Sequence, residues 1–371
     1  MDTVKWRDGY RQEGCSLFAR SVQAACGTLP SLDSNKEEVQ PVSLLFLGFQ
    51  TAAVLAERNA RRGFKDFLPS NVVLLSQASR SRTEIISHDL SEYGLTDRGL
   101  DVIVPRDASR DPRSPLRYHR GHPLFPSGSF LRGRGGIFIA SPALSLLQLS
   151  LALDECSWLK LAYRFTGIFS LDESAEDGIV ERPPLASTQE LEAYFSSAAE
   201  IGIRGARRSC RLLRQVRNGS ASPMESELEI ALSRPRSMSG YGCVHATLND
   251  QVRYDELARN LTGHLFARID LHYQQARYGL EYSGRLPHQW QVPEDVTRQN
   301  ALAHMGEETD FVTYRQLSDA RELELVARKV TRKTRRTWRE NLLLPLEQRQ
   351  AFLDELLREK EFETGAGVLR V

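Results

Sequence analysis

The residues best suited to chemistry sit close together, in His264-Leu-Phe-Ala-Arg-Ile-Asp-Leu-His-Tyr273, then Gln-Gln-Ala, then Arg277-Tyr-Gly-Leu-Glu-Tyr-Ser-Gly284. From His264 onward apolar residues recur at every second position, the period of a strand. Folded as a hairpin turning at Gln275-Ala276, the two strands place Ile269 opposite Tyr282 and Leu271 opposite Leu280 on one apolar face. On the other, polar face Arg268 meets Ser283, Asp270 meets Glu281, and His272 meets Gly279. One register sorts both strands into a buried and a polar side, and a one-residue slip would scramble it.

Two carboxylates directly across a ladder repel, more strongly when partly buried. A positive group between Asp270 and Glu281 would answer that repulsion. Mg²⁺ (or Mn²⁺) is one candidate, because it favours hard oxygen donors and commonly takes one or two carboxylates with water and a substrate phosphate. A metal held there would activate water for attack on a phosphodiester. Arg268 or Arg277 is the other candidate, making an ordinary surface ion pair.

The elements that must position this pair are partly legible. A helix start is clear at Ser222-Pro223-Met224-Glu225, with serine as N-cap, proline at the first helical position and glutamate where a capping box places its carboxylate. Leu228, Ala231 and Leu232 give that helix a buried stripe. Downstream, Glu294–His304 reads as a helix, Asp310–Thr313 as a strand, Leu317–Val330 as a helix and Leu342–Leu357 as a last amphipathic helix. Helix, strand, strand, helix, strand, helix implies an α/β (α+β) region with a central mixed sheet flanked by helices. Asp295 and Arg298 share a helix face, an ordinary intrahelical ion pair in most proteins. Trp290 is either a core aromatic or a stacking surface for bases.

Asp270, then Glu281-Tyr-Ser-Gly, then His288, then Asp295-x-x-Arg298-x-Asn300, with Glu225 on the leading helix and Gly306 after the last, resembles the PD-(D/E)XK superfamily. The similarity is to its very-short-patch-repair-endonuclease-like branch and spans about residues 218 to 331. It implies a restriction-endonuclease-like fold, metal ligation by Asp270 and Glu281, and catalytic roles for Glu225 and His288. His288 would then orient a water or phosphate, or act as an acid for the leaving oxygen. Ser283 departs from the pattern, standing where this branch has Asp and the wider superfamily Lys. A serine can hydrogen-bond a metal-bound water but supplies no charge. A glutamate that only closes its capping box, and a His288 that only satisfies a local carbonyl, remain the alternatives.

Arg328-Lys329, Arg332-Lys333, Arg335-Arg336 and Arg339 form the densest basic cluster in a chain whose net charge is only +1. Such a patch attracts phosphate backbones without reading sequence, or it is simply a solvated helix face. With Arg268 and Arg298, it is expected to position DNA. A second run, Arg204, Arg207, Arg208, Arg211, Arg214 and Arg217, recurs at helical spacing and could meet phosphates or a protein partner.

The upstream half is read more coarsely. Residues 1–40 form a polar extension with a possible short helix through Leu17–Ala25. Asn71–Leu75, Leu100–Val104 and Gly136–Ala140 look like short strands. Ser141-Pro142 opens a helix with a Leu stripe (Leu144, Leu147, Leu151), and helices with loops follow through Thr188–Val216. From about Leu44 to Gly167 the chain is similar to actinobacterial proteins related to the abortive-infection antitoxin AbiEi, through His119, Pro126-Ser-Gly-Ser-Phe130 and the Ser141-Pro142 helix. That resemblance implies a DNA-binding or regulatory platform. The expected division is 1–40, 41–217, 218–331 and 332–371, the last basic and then an amphipathic helix.

Other classes are disfavoured. Hydrophobic residues make up 41% of the chain, which argues against global disorder. The longest apolar runs, near Leu44–Ala56 and Ala140–Leu153, are too interrupted to span a membrane. The first residues carry charges where a signal peptide would be apolar, so a cytoplasmic protein is expected. Five scattered cysteines without Cys-x-x-Cys give no zinc knuckle or disulfide framework. His119-x-x-His122 has metal-compatible spacing but no partner ligands. The leading expectation is a metal-dependent DNA endonuclease in phage defence or DNA repair. The rivals are a non-catalytic antitoxin-like DNA-binding regulator with a degenerate nuclease domain, and a protein-interaction module docking through the Arg204–Arg217 face.

Overall fold

A computed structural model describes residues 43–70, 75–108, 113–283 and 292–371. The extension over 1–40, most of the Asn71–Leu75 strand, His288 and Trp290 lie outside the described residues. Leu75 itself opens a short 3-10 turn, Leu75–Gln77.

The first half builds a six-stranded mixed sheet. Its strands are β1 (Leu45–Leu47), β2 (Leu68–Ser70), β3 (Asp101–Val104), β4 (Arg117–Arg120), β5 (Phe130–Arg132) and β6 (Ile137–Ala140), in the order β2-β5-β6-β1-β3-β4. Every residue of β1, β3 and β6 is buried, as expected where a sheet is covered on both faces and its strands read as unbroken apolar runs. The sequence signals over Leu100–Val104 and Gly136–Ala140 become β3 and β6. Helix α1 (Phe49–Arg61), which the sequence reading missed, packs on β3 and β6. A short α2 (Arg82–Ile86) follows it.

A helical layer comes next. Helix α3 (Pro142–Leu149) starts as expected, with the Ser141 hydroxyl accepting from the Leu144 N–H and Pro142 in the first turn. Then come α4 (Glu155–Thr166), the small β7–β8 hairpin (Phe169–Leu171, Ile179–Glu181), α5 (Thr188–Glu200), α6 (Ala206–Leu213) and α7 (Pro223–Ser233). Trp158 on α4 is wholly buried and donates Nε1–H to the Leu146 carbonyl. Leu228, Ala231 and Leu232 of α7 are fully buried, as their stripe requires.

The second half carries a four-stranded sheet of β9 (Thr247–Arg253), β10 (Phe266–Tyr273), β11 (Tyr278–Ser283) and β12 (Glu308–Thr313), in the order β12-β11-β10-β9. Helix α8 (Glu256–Thr262) joins β9 to β10, and α9 (Val292–His304) is the crossover between parallel β11 and β12. The mixed sheet flanked by helices is present, and the chain is α/β. The expected helix over Leu317–Val330 is two. Asp319 caps α11 (Ala320–Lys333) by accepting from the Arg321 and Glu322 N–H groups, and so ends α10 (Tyr314–Ser318). Pro345 delays the last helix, α12 (Leu346–Leu356), and an unforeseen hairpin of β13 (Glu361–Thr364) and β14 (Gly367–Arg370) follows. That hairpin returns to the first half, where Arg58 donates to the Ala366 carbonyl at 2.5 Å. No helix among the described residues is long and apolar enough to cross a membrane.

Candidate metal centre

The β10–β11 register is the one read from the sequence, with Leu271 opposite Leu280 and His272 opposite Gly279. The sorting of faces is not. Leu271 and Leu280 join the main core, but Ile269 joins a separate cluster with Tyr254, Ala258, Ala267, Ala301 and Leu302. His272, expected on a polar face, is buried. The change of side occurs at Asp270. Strand β9 pairs Asp250 with Ile269 and Leu248 with Leu271, and the rung between them, Asn249 with Asp270, is missing. On the other flank the ladder to β11 stops at Leu271, and the Asp270 Oδ2 accepts the Tyr282 N–H at 2.8 Å in place of a backbone carbonyl. The sheet is therefore open on both sides of Asp270.

Three carboxylates occupy that opening. Glu281 on β11 is 7% exposed, and Glu225 in the first turn of α7 is equally buried. Ser222 caps α7 by accepting the Glu225 N–H at 3.2 Å. The Glu225 carboxylate does not close the box on Ser222. Its Oε2 accepts from the Ala221 N–H at 2.8 Å and from the Asn249 amide at 2.6 Å. The countercharge is neither Arg268 nor Arg277. Arg298, from α9, donates Nη2–H to the Glu281 Oε1 at 2.6 Å and also reaches the Arg268 carbonyl. Arg268 itself is exposed and pairs with Glu181 at 3.5 Å, while Arg277 pairs with Glu307 at 3.2 Å.

The electrostatics follow from burial. Desolvation pushes Glu281 up to about 8, the Asp270 charge adds to the rise, and Arg298 opposes it. Burial raises Glu225 and Asp270 as well. Asp270 adds to the rise at Glu225, while the Tyr282 N–H and Arg298 hold Asp270 back. Burial alone would lower Arg298, but Glu281 reverses the sign and raises it. Glu281 and Asp270 thus share one guanidinium while Glu225 is held by neutral donors, in a poorly hydrated site where carboxylates resist ionising together.

A divalent cation suits this set in charge and donor type, since all the donors are hard oxygens. Among the described residues, no three His, Cys, Asp or Glu side chains stand close enough to grip an ion as they are.

The remaining predicted residues are dispersed. Ser283 ends β11, paired in register with Thr313 of β12. His288 and the side chain of Asp295 lie outside the described residues. The basic cluster divides. Arg328 is held by Glu324 at 2.7 Å and Glu340 at 3.2 Å, Lys329 by Asp310 at 2.5 Å, and Lys333 by Glu308. Arg332, Arg335 and Arg336 are exposed and make no ion pair among the described residues. In the other basic run, α6 covers only Arg207 to Arg211, and Arg211 pairs with Glu155 at 2.9 Å. His119 bonds Asp101 at 2.9 Å and His122 bonds the Leu124 carbonyl at 2.7 Å, each with its own partner.

Two features escaped the sequence reading. Asn249 was missed because β9, Thr-Leu-Asn-Asp-Gln-Val-Arg, lacks an alternating apolar pattern. His272 is clamped between two acids, with Nδ1 2.6 Å from the Asp250 Oδ2 and Nε2 3.2 Å from the Glu307 Oε2. The imidazole ties β10 to β9 and to the residue before β12. No family model, curated protein or solved structure matches the chain.

Proposed function

We propose that the chain hydrolyses phosphodiester bonds of DNA at a Mg²⁺- or Mn²⁺-dependent site formed by Asp270, Glu281 and Glu225. The observation that carries this is the neighbourhood of buried Glu281 and Glu225 and half-buried Asp270 where the sheet opens on both sides of Asp270, near enough for the Asp270 charge to act on both glutamates. A structural ion-pair network would bring matching cations, and here one guanidinium serves Glu281 and Asp270 while Glu225 has only neutral donors. A bound divalent ion supplies the missing positive charge and makes its water more acidic. Asp270 and Glu281 bind it, Glu225 completes the oxygen set, and Ser283 hydrogen-bonds its water. His288 serves the leaving oxygen, in keeping with the resemblance to PD-(D/E)XK enzymes. Arg332, Arg335 and Arg336 offer the free positive charge for the phosphate backbone.

The test is nicking of supercoiled plasmid with Mg²⁺ or Mn²⁺, comparing wild type with Glu281→Gln and Asp270→Ala. Cleavage by the wild type alone is expected. No cleavage by any of them, on plasmid, mismatched and single-stranded substrates, overturns the hydrolytic role.

One observation favours a second reading. Arg298 already satisfies Glu281 at 2.6 Å, and Ser283 supplies no charge. A chain in which that guanidinium permanently replaces the ion would bind DNA as a regulator without cutting it. Salt-dependent duplex binding with no metal uptake would establish that alternative.

A further inference from the structure

Apart from the Asp270 carboxylates, a cavity of about 270 Å³ lies where α4, β7, the start of α7 and the chain after α12 converge. Phe169, Leu171, Pro223, Met224 and Leu357 give it largely apolar walls. None of Asp270, Glu281 and Glu225 lines it. Its volume falls at the small end of ligand pockets, which run from about 300 to 1,000 Å³, and suits a molecule the size of a single ring.

The polar group that this lining leaves unmet is Glu227, 4% exposed. Among the described residues its Oε2 has no hydrogen-bond donor. Its Oε1 lies 3.6 Å from the Lys160 Nζ, an ion-pair contact too long for a hydrogen bond. Lys160 donates instead to the Arg358 carbonyl at 2.8 Å. A buried carboxyl left without hydrogen bonds is costly, and native proteins seldom keep one without a reason. Burial pushes this carboxyl up to about 7, against the pull of Lys160. The other charges at the cavity are committed. Arg164 pairs with Glu57 at 2.5 Å and donates to the Arg370 carbonyl at 2.5 Å, and Arg370 pairs with Glu361 at 2.6 Å. A cationic ligand would meet Lys160 and Arg164 at close range, and an anionic one would meet Glu227. Water alone would reach the carboxyl, but buried water usually makes about three hydrogen bonds, and apolar walls offer few.

We infer that this cavity binds a small apolar molecule bearing one neutral hydroxyl, which bonds Glu227 while the hydrocarbon body packs on Phe169, Leu171 and Met224. A hydroxyl donates to a carboxylate and accepts from a carboxylic acid, so it pairs with Glu227 in either protonation state. The body supplies the apolar burial.

The full chain, isotope-labelled at its methionine methyl carbons, carries a reporter in the wall, Met224, whose signal is assigned through Met224→Leu. It is titrated by NMR with benzyl alcohol, toluene, benzylamine and benzoate, which share the ring and differ in the polar group. Benzyl alcohol is expected to shift the Met224 signal saturably and to bind about three- to tenfold tighter than toluene, the usual worth of one hydrogen bond. Glu227→Leu should abolish that preference, and Glu227→Gln, which keeps hydrogen-bonding atoms, should retain it. If the leucine variant does not fold by circular dichroism, the wild-type series decides alone. Toluene binding as tightly as benzyl alcohol to the wild type, or a preference that survives Glu227→Leu, overturns the role of Glu227. Tighter binding of benzylamine or benzoate overturns the neutral class, and no saturable shift with any of the four overturns the site.

Discussion

Glu281 gives the site its most direct pH signature. Burial first, then Asp270, raises its carboxyl from an ordinary value to about 8. The unfolded chain ionises this group near 4.5, so the folded state binds the proton more tightly than the unfolded state does. Its stabilising contribution is therefore complete below about pH 4.5 and is lost as pH rises through about 8. Glutamine mimics the protonated form and keeps a hydrogen-bonding oxygen for Arg298. Glu281→Gln should melt near wild type at pH 5 and roughly 2–4 °C higher at pH 8.5, in metal-free buffer followed by circular dichroism. An equal offset at both pH values would mean that Glu281 is ionised throughout. Added Mn²⁺ should reverse the sign at pH 8.5, stabilising only the wild type, because a ligand that binds the folded state raises its stability.

At the scale of elements, the β10–β11 hairpin shows how much a sequence reveals and where it stops. Its register was legible because apolar and polar residues alternate in both strands and the turn lies at Gln274–Ala276. That register led to the expectation that Asp270 faces Glu281, but the ladder stops one residue short, at Leu271 opposite Leu280. What alternation cannot reveal is a change of side within a strand. Ile269 and Leu271 look like neighbours on one face, yet Ile269 packs with α8 and α9 residues and Leu271 with the main core. The cause lies in another strand, at Asn249, whose polar sequence context hid β9 altogether. Arg298 was legible as a helix residue but not as the partner of Glu281, because that contact depends on how the crossover helix returns over the sheet. Gly279 records the local crowding. A Cβ there would stand 2.4 Å from the Ile269 Cγ2. Gly279→Ala should destabilise the chain by about 1–3 kcal/mol, the usual penalty of overpacking. Urea unfolding would measure it, and in an Ile269→Ala background, which lacks the Cγ2, Gly279→Ala should cost less. No loss in Gly279→Ala would mean that Ile269 can swing aside and that its packing against α9 is loose.

At the scale of the whole molecule, charge is largely used internally, and this decides which surface can meet a polyanion. The sequence presents one basic cluster from Arg328 to Arg339, but folding separates it by partner. Lys329 and Lys333 face Glu308 and Asp310 on β12, and their ammonium groups also lie over the Tyr278 ring at 5.6 and 5.7 Å. Arg328 lies between Glu324 and Glu340 with its guanidinium over Trp338 at 5.2 Å. These three cations fasten α11 to its surroundings and would have to abandon partners to neutralise phosphate. Arg332, Arg335 and Arg336 have no such commitment among the described residues. The two groups should therefore respond differently to substitution. If duplex DNA is bound through this face, replacing Arg332, Arg335 and Arg336 by Ala removes up to three phosphate contacts. The slope of log affinity against log salt should then become shallower by roughly 2–3, read by fluorescence anisotropy on a duplex across a salt series. Replacing Lys329 and Lys333 should instead lower thermal stability and leave the slope nearly unchanged. The opposite pattern would mean that the ion pairs with β12 open on binding, so that the edge of the second sheet, and not the end of α11, carries the DNA.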